Sequence, residues 1–104
     1  MISVSFGRGA GRLVSCRVSG HAGYDDFGRD IVCAAVTSAV QYTANAMTEV
    51  FGVLAEVRAG ENQISIAVCG EDENGFRLLE ALHLHLTLLS DEYPKTILIH
   101  ISEV

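Results

Sequence analysis

The order in which two kinds of apolar periodicity follow each other is the feature that most constrains the fold. Apolar and polar residues alternate in five short segments, a pattern typical of strands with one buried face. Two longer segments repeat their apolar residues near the helical period instead. The predicted strands are 1–6, 13–19, 53–59, 63–69 and 95–102, and the predicted helices are 31–51 and 76–92. The sequence therefore predicts the element order ββαββαβ.

This order predicts an α+β (α/β layered) fold in which a five-stranded mixed sheet packs against two helices. The chain has 104 residues, of which 49% are hydrophobic, so we expect one domain over residues 1–104 with an ordinary small core. Gly60, Glu61 and Asn62 connect the third and fourth strands tightly, which predicts a hairpin. The order of the strands in the sheet does not follow from the sequence.

The two predicted helices have recognisable ends. Asp30 is the expected N-cap of the first helix, and Gly52 is its expected stop. The face expected to be buried carries Ile31, Ala35, Ala39, Tyr42, Ala46 and Met47. The second helix ends before Pro94 and has leucine on nearly every side. A two-layer monomer buries only one stripe of a helix, so we expect a homodimer that uses part of this helix. The alternative is a helix deeply buried within one chain.

Charge and cysteine content narrow the class of protein. The net charge of −6 argues against direct binding to nucleic acid, which needs clustered Lys and Arg, and fits a basic protein partner better. The chain has three cysteines, an odd number, and no CxxC motif. Neither a disulfide framework nor a zinc finger is therefore expected. We expect a cytoplasmic protein, since neither a signal peptide nor a membrane-spanning segment is recognisable.

The chemistry of the chain is concentrated in the stretch GHAGYDDFGRDIVCAAV, residues 20–36. If Asp30 caps the helix, Cys33 lies in the first turn, where the field of free N–H groups favours a thiolate, the nucleophilic form of cysteine. His21 lies twelve residues upstream, and Gly20, Gly23 and Gly28 could let the loop fold back. A Cys–His dyad is therefore possible, and a Cys33 that merely packs in the core is the alternative.

The remaining cysteines and histidines suggest no second site. Cys16 is expected in the core, and Cys69 has no base beside it in sequence. His83 and His85 point to different faces of their helix, so His83 is expected in solvent and His85 at an interface. His100 falls on the less apolar face of the last strand. We predict no metal site and no cofactor.

The motifs GHA at 20–22 and GRDIVCAA at 28–35 together resemble the signature of the Prp family, the bacterial ribosomal-processing cysteine proteases. The resemblance extends over the whole length of the chain, through the hairpin and the second helix that ends in EYP. Either motif alone would be weak evidence for the resemblance, whereas the two motifs together are specific to this family.

The resemblance implies both a function and roles for particular residues. Members of the family are small homodimeric cysteine proteases that remove a short N-terminal extension from a large-subunit ribosomal protein, cutting after an aromatic residue. By matching positions, Cys33 would be the nucleophile, His21 the general base, and Asp30 a supporting residue. The alternative function is a ribosome-associated binding module of the same fold that catalyses nothing.

Overall fold

The computed structural model describes residues 1–20 and 27–104, with only the backbone described for residues 27–30. The strands are β1 (Ile2–Gly9), β2 (Arg12–Ser19), β3 (Ala55–Gly60), β4 (Gln63–Val68) and β5 (Ile97–Glu103). The helices are α1 (Phe27–Asn45), continued by a short π-helix (Ala46–Val50), and α2 (Glu73–Glu92). The predicted order ββαββαβ is confirmed.

The five strands form one mixed sheet with the order β3-β4-β2-β1-β5. Only the β1–β5 pair is parallel, and the other three pairs are antiparallel. The strands β2 and β3 therefore run in the same direction on either side of β4, and α1 connects them. The connection from β4 to β5 through α2 crosses β2 and β1. The two helices share one core and so lie on the same face of the sheet, where α2 packs mainly on β2 and also reaches β5.

One hydrophobic core lies between the helix layer and this face of the sheet. Both helices and all five strands contribute side chains to it or pack against it. Its largest fully buried side chains include Phe6, Ile2, Met47, Ile66, Leu79 and Leu86. None of the helices that the structure describes is both long and apolar enough to span a bilayer.

Both hairpins close through two-residue turns. Ala10 and Gly11 have φ of 53° and 78°, and Gly9 still pairs with Arg12. The apolar alternation indicates strands that end at residue 6 and resume at residue 13, but this compact turn lets β1 continue to Gly9 and β2 begin at Arg12. The second hairpin is confirmed: Gly60 pairs with Gln63, and Asn62 has φ 63°.

A β-bulge changes which residues of β2 face the core. The sequence predicts Val14, Cys16 and Val18 on the inner face, but Val14 is only half-buried and Leu13 is buried in its place. Gly7 lies opposite Ser15 and Arg8 opposite Leu13, so Val14 is an extra residue without a partner. An extra residue shifts the alternation by one, which turns Leu13 inward.

The buried face of α1 differs from the predicted one. The stripe that packs on the sheet consists of Val32, Val36, Val40, Thr43, Ala44 and Met47. Ile31 and Tyr42, expected inside, are 51% and 75% exposed. This helix carries two apolar stripes, and burying the valines removes more apolar surface from water than burying the alanines would. The hydroxyl of the buried Thr43 donates to the carbonyl of Ala39 at 2.8 Å.

The other helix ends follow from caps. Gly52, with φ 64°, ends the π-helix as predicted. The helix α2 begins at Glu73 rather than Phe76 because Asp72 is its N-cap, accepting from the N–H groups of Asn74 and Gly75. It ends at Glu92, two residues before Pro94.

The leucines of α2 divide into two sets. Leu79, Leu82 and Leu86 are buried on the sheet, whereas Leu84 and Leu88 are 61% and 58% exposed. The helix is therefore not deeply buried within one chain. Its apolar outer face stays open in the single chain.

Candidate active site

Gly20 fixes the point at which the motif-bearing loop leaves β2. Its φ is 74°, and a Cβ built on it would lie 3.0 Å from the carbonyl oxygen of Met1. Its N–H donates to the carbonyl of Asn62 at 3.2 Å. A larger residue would be strained here both by its backbone angle and by the close carbonyl. Glycine at this position is therefore required by the fold, whatever else it does.

The predicted partner of the cysteine lies outside the described residues. His21 and Gly23 fall between residues 20 and 27, so the expected approach of His21 to Cys33 stays a prediction. The sequence predicts Gly28 in the loop with Gly20 and Gly23, but Gly28 lies inside α1.

The helix α1 begins at Phe27, so the prediction that Asp30 is its N-cap is wrong. Cys33 is then the seventh residue of the helix and lies in the second turn, not the first. The N–H groups left free at the helix start belong to residues 27–30. The field of a helix start weakens beyond its first turn, so α1 contributes less to activating Cys33 than a helix beginning at residue 31 would.

Cys33 is half-buried on the flank of α1 that faces away from α2. The opposite flank, with Ala35, Ala39, Tyr42 and Ala46, borders a groove of about 480 Å³ whose other wall is formed by α2, including Leu78, Ala81 and His85. Helical periodicity places Cys33 and Thr37 together on the side away from this helix groove.

The other two cysteines differ sharply from Cys33 in their surroundings. Cys16 is 2% exposed, which confirms its place in the core, and burial raises the pKa of its thiol to about 12. It therefore stays a neutral thiol at physiological pH. Cys69 is exposed just beyond β4, and its sulfur lies 3.9 Å from the carbonyl oxygen of Ala67. Cys33 is the only one of the three that is partly accessible and borders the core.

The histidines of α2 are placed differently from one another. His83 is not in solvent as predicted, because its ring packs edge-on against Phe6 with 5.0 Å between ring centroids and an angle of 87°. His85 is exposed at the helix groove, and His100 is exposed on β5. Among the side chains that the structure describes, no three His, Cys, Asp or Glu residues are grouped to hold a metal ion.

A polar contact that the sequence did not indicate fixes the start of α2 to the sheet. Arg12, the first residue of β2, donates two hydrogen bonds to Glu73, one of them at 2.7 Å, and its guanidinium lies 5.2 Å from the centre of the Phe76 ring. These hydrogen bonds are the main reason that the pKa of Arg12 is raised and that of Glu73 is lowered. Both partners are at the surface, so the contact orients α2 more than it stabilises the fold.

Comparison with known families identifies the chain. The family model described as "Cysteine protease Prp" matches residues 1–98. The chain belongs to the Prp family. It is therefore a cysteine protease, and the non-catalytic alternative loses its support. No sequence among the curated proteins matches this chain.

Solved structures share the Prp fold over nearly the whole chain. The protein SMU.848 from Streptococcus mutans is 29% identical, with a TM-score of 0.81, and the match covers 100% of this chain and 96% of that one. The ribosomal processing protease Prp from S. aureus has been solved with a substrate peptide, at 19% identity and a TM-score of 0.90. A second structure of it holds a covalently linked product peptide, at 20% identity and a TM-score of 0.87. Each of these two matches covers 98% of this chain and 100% of the S. aureus chain.

Alkylation should distinguish the three cysteines of this Prp family member. With iodoacetamide at neutral pH, we expect Cys33 to react faster than Cys69, although Cys69 is the more exposed, because a protease nucleophile has thiolate character. Cys16 should react only after unfolding. Peptide mass mapping over time measures the three rates. Faster modification of Cys69, with Cys33 unmodified, would argue against a reactive Cys33.

Proposed function

We propose that this chain is an endopeptidase that removes the N-terminal extension of a large-subunit bacterial ribosomal protein in the cytoplasm. The match of the family model to residues 1–98 carries the proposal. It is supported by the S. aureus relative, which is described as an essential ribosomal processing protease and was solved with a substrate peptide. The partner of this chain is then the N-terminal peptide of that ribosomal protein, and no cofactor takes part.

The proposed reaction uses a Cys33–His21 dyad. His21 takes the thiol proton, and the Cys33 sulfur attacks the carbonyl carbon of the peptide bond. The bond from this carbon to nitrogen breaks, His21 returns the proton to the leaving amine, and a thioester remains on Cys33. Water then hydrolyses the thioester and releases the second product. The product peptide covalently linked in the S. aureus relative is what covalent catalysis predicts.

Asp30 and the loop glycines have supporting roles in this proposal. Because Asp30 does not cap α1, its proposed contribution is to orient His21. Position 30 is three residues before Cys33 in the helix, so the two positions share a flank. Gly20 directs the chain from β2 toward the segment that carries His21, whereas Gly28 lies inside α1 and is not part of that segment.

The decisive experiment uses the ribosomal protein precursor from the same organism. Purified protein is incubated with the precursor, and the products are followed by mass spectrometry. We expect a single cut that releases the N-terminal extension and leaves the remainder of the protein intact. A precursor that stays uncut, under conditions in which the chain is folded, would refute the proposed substrate.

Replacing His21 by alanine should lower kcat/KM about 10²- to 10⁴-fold, since a general base contributes on that scale. The matched control is His100→Ala, which removes an exposed histidine from β5. The control should cleave the precursor at the wild-type rate. Equal cleavage by His21→Ala and wild type, measured with the same precursor, would exclude His21 as the base.

We also propose that the chain forms a homodimer through the outer face of α2. Leu84 and Leu88 are neighbours on that face and are more than half exposed, which is unfavourable in water. The double substitution Leu84→Glu/Leu88→Glu should convert a dimer into a monomer of 11.2 kDa in sedimentation or light-scattering measurements. Leu98→Glu, at an exposed position on β5, is the control and should remain dimeric. A wild-type protein that is monomeric at high concentration would contradict the proposal.

A further inference from the structure

The strand β5 is an edge of the sheet, and among the residues that the structure describes it pairs only with β1. At one end of this ladder the N–H of Ile2 donates to the carbonyl of Thr96. At the other end the N–H of Val104 donates to the carbonyl of Arg8. The even-numbered residues of β5 therefore turn their backbone groups toward β1, because successive residues of a strand alternate in direction. The backbone N–H and C=O groups that point away from the sheet belong to Ile97, Ile99, Ile101 and Glu103.

The same edge carries apolar side chains on the core face of the sheet. Ile97, Ile99 and Ile101 are in register with buried residues of β1, so their side chains lie on that face. Ile97 is buried, whereas Ile99 and Ile101 are half-buried and pack at the border of the core. A further strand beside β5 would cover these two isoleucines and remove more apolar surface from water.

The strand β5 lacks the features by which edge strands usually avoid pairing with another chain. Natural edge strands are short, or they carry charges, proline or a bulge. The strand β5 has seven residues in regular register with β1, and its only Asp, Glu, Lys or Arg is Glu103 at the end. The other edge strand, β3, carries Glu56 and Arg58, which form an ion pair at 3.1 Å. The contrast indicates that the edge of β5, unlike that of β3, is suited to accept a strand.

We propose that the free edge of β5 binds an extended segment of a protein partner, which adds to the sheet as a sixth strand. Antiparallel addition is expected, since it is slightly more stable per residue than parallel pairing. In that arrangement the partner residues that exchange hydrogen bonds with Ile99 and Ile101 also point their side chains to the core face. The segment that fits is therefore apolar at these alternate positions and uncharged, like the edge itself. Its backbone supplies affinity and its apolar side chains supply specificity. This site is separate from the proposed cleavage and from the outer face of α2.

A model peptide tests whether the unmodified protein accepts a strand. Fluorescein-labelled KTVTVTVTK, in which valine alternates with threonine, is titrated into the protein, and anisotropy gives the Kd. Two further peptides carry N-methyl groups either on the valines or on the threonines, so that each lacks the N–H donors of one edge. We expect methylation of the valines to raise the Kd at least tenfold and methylation of the threonines to change it less than twofold. Equal Kd values for the two methylated peptides, or no binding of the unmethylated peptide at millimolar concentration, would overturn the proposal.

The substitution Ile101→Pro locates the binding on β5. Proline removes an outward N–H, whereas the hydrogen bonds of the ladder with β1 are kept. The matched control is Ile101→Val, which keeps this N–H. With the unmethylated peptide, we expect Ile101→Pro to raise the Kd at least tenfold and Ile101→Val to change it less than twofold, and thermal unfolding followed by circular dichroism verifies that both variants are folded. Equal Kd values for the two variants would contradict the site. A lower molar mass of Ile101→Pro than of wild type in sedimentation would show that a second copy occupies the edge, and would also overturn the proposal.

Discussion

Cleavage of the ribosomal protein precursor should fall by about 10⁴-fold or more when Cys33 is replaced by alanine, since removing a nucleophile leaves only binding and electrostatic contributions to the rate. The fold should persist, because Cys33 is only half-buried and alanine keeps the Cβ in the helix. Cys33→Ser should be impaired similarly, because a hydroxyl is far less acidic than a thiol. The measurement is the initial rate of precursor cleavage, with the cut products identified by mass spectrometry.

The matched control for this prediction is Cys69→Ala. Cys69 is exposed beyond β4 and takes no part in the proposed reaction, so its removal should leave the rate within twofold of wild type. This comparison separates loss of the nucleophile from loss of any accessible thiol. Undiminished cleavage by the folded Cys33→Ala protein would end the assignment of Cys33 as the nucleophile.

The substitution Phe6→Ala should have the largest effect on stability. Phe6 lies in β1, between β2 and β5, is 1% exposed, and packs against the ring of His83. Truncating a buried Phe to Ala costs about 3–5 kcal/mol, a large part of the roughly 5–15 kcal/mol that holds a domain folded. Urea denaturation followed by circular dichroism measures the change in free energy of unfolding.

Leu98→Ala is the control for the core substitution. Leu98 lies on β5 and is 55% exposed, so its truncation should change the free energy of unfolding by less than about 1 kcal/mol. A similar decrease in the free energy of unfolding for both variants would mean that β1 does not lie at the centre of the core. A Phe6→Ala protein with wild-type stability would contradict the packing directly.

The sequence predicts the type and order of the elements well because periodicity is a local property. Alternation in β1 and leucine spacing in α2 are each visible within a few residues. Strand order is different, since β1 pairs with β5 across most of the chain and no local pattern records this partner. The burial of Cys16 could be predicted, because an alternating strand shows which residues share its inner face.

The errors in the predicted fold have particular causes. A bulge at Val14 moves Leu13 inward, and a single extra residue leaves no trace in the hydrophobic pattern. The helix α1 carries two apolar stripes, and its sequence alone does not show that the valine stripe is the one that packs against the sheet. His83 on α2 is polar by type, yet its ring packs against the ring of Phe6 on β1. Each error arises where a contact distant in sequence overrides a local preference.

For the candidate site, the sequence predicts residue types better than their positions. It indicates the need for glycine at position 20, where φ is 74°, whereas the role of Cys33 stays a prediction. It misplaces the start of α1 by four residues, because residues 27–30 carry no helical pattern of their own.

The pairing of β1 with β5 has a consequence for folding kinetics. The two hairpins close through two-residue turns, so each can form rapidly from neighbours in the chain. The β1–β5 ladder instead joins Ile2 to Ile97, and closing so long a loop carries an entropic penalty that hairpins avoid. Docking of β5 is therefore the step expected to limit the folding rate, and until it happens β1 exposes a strand edge prone to self-association.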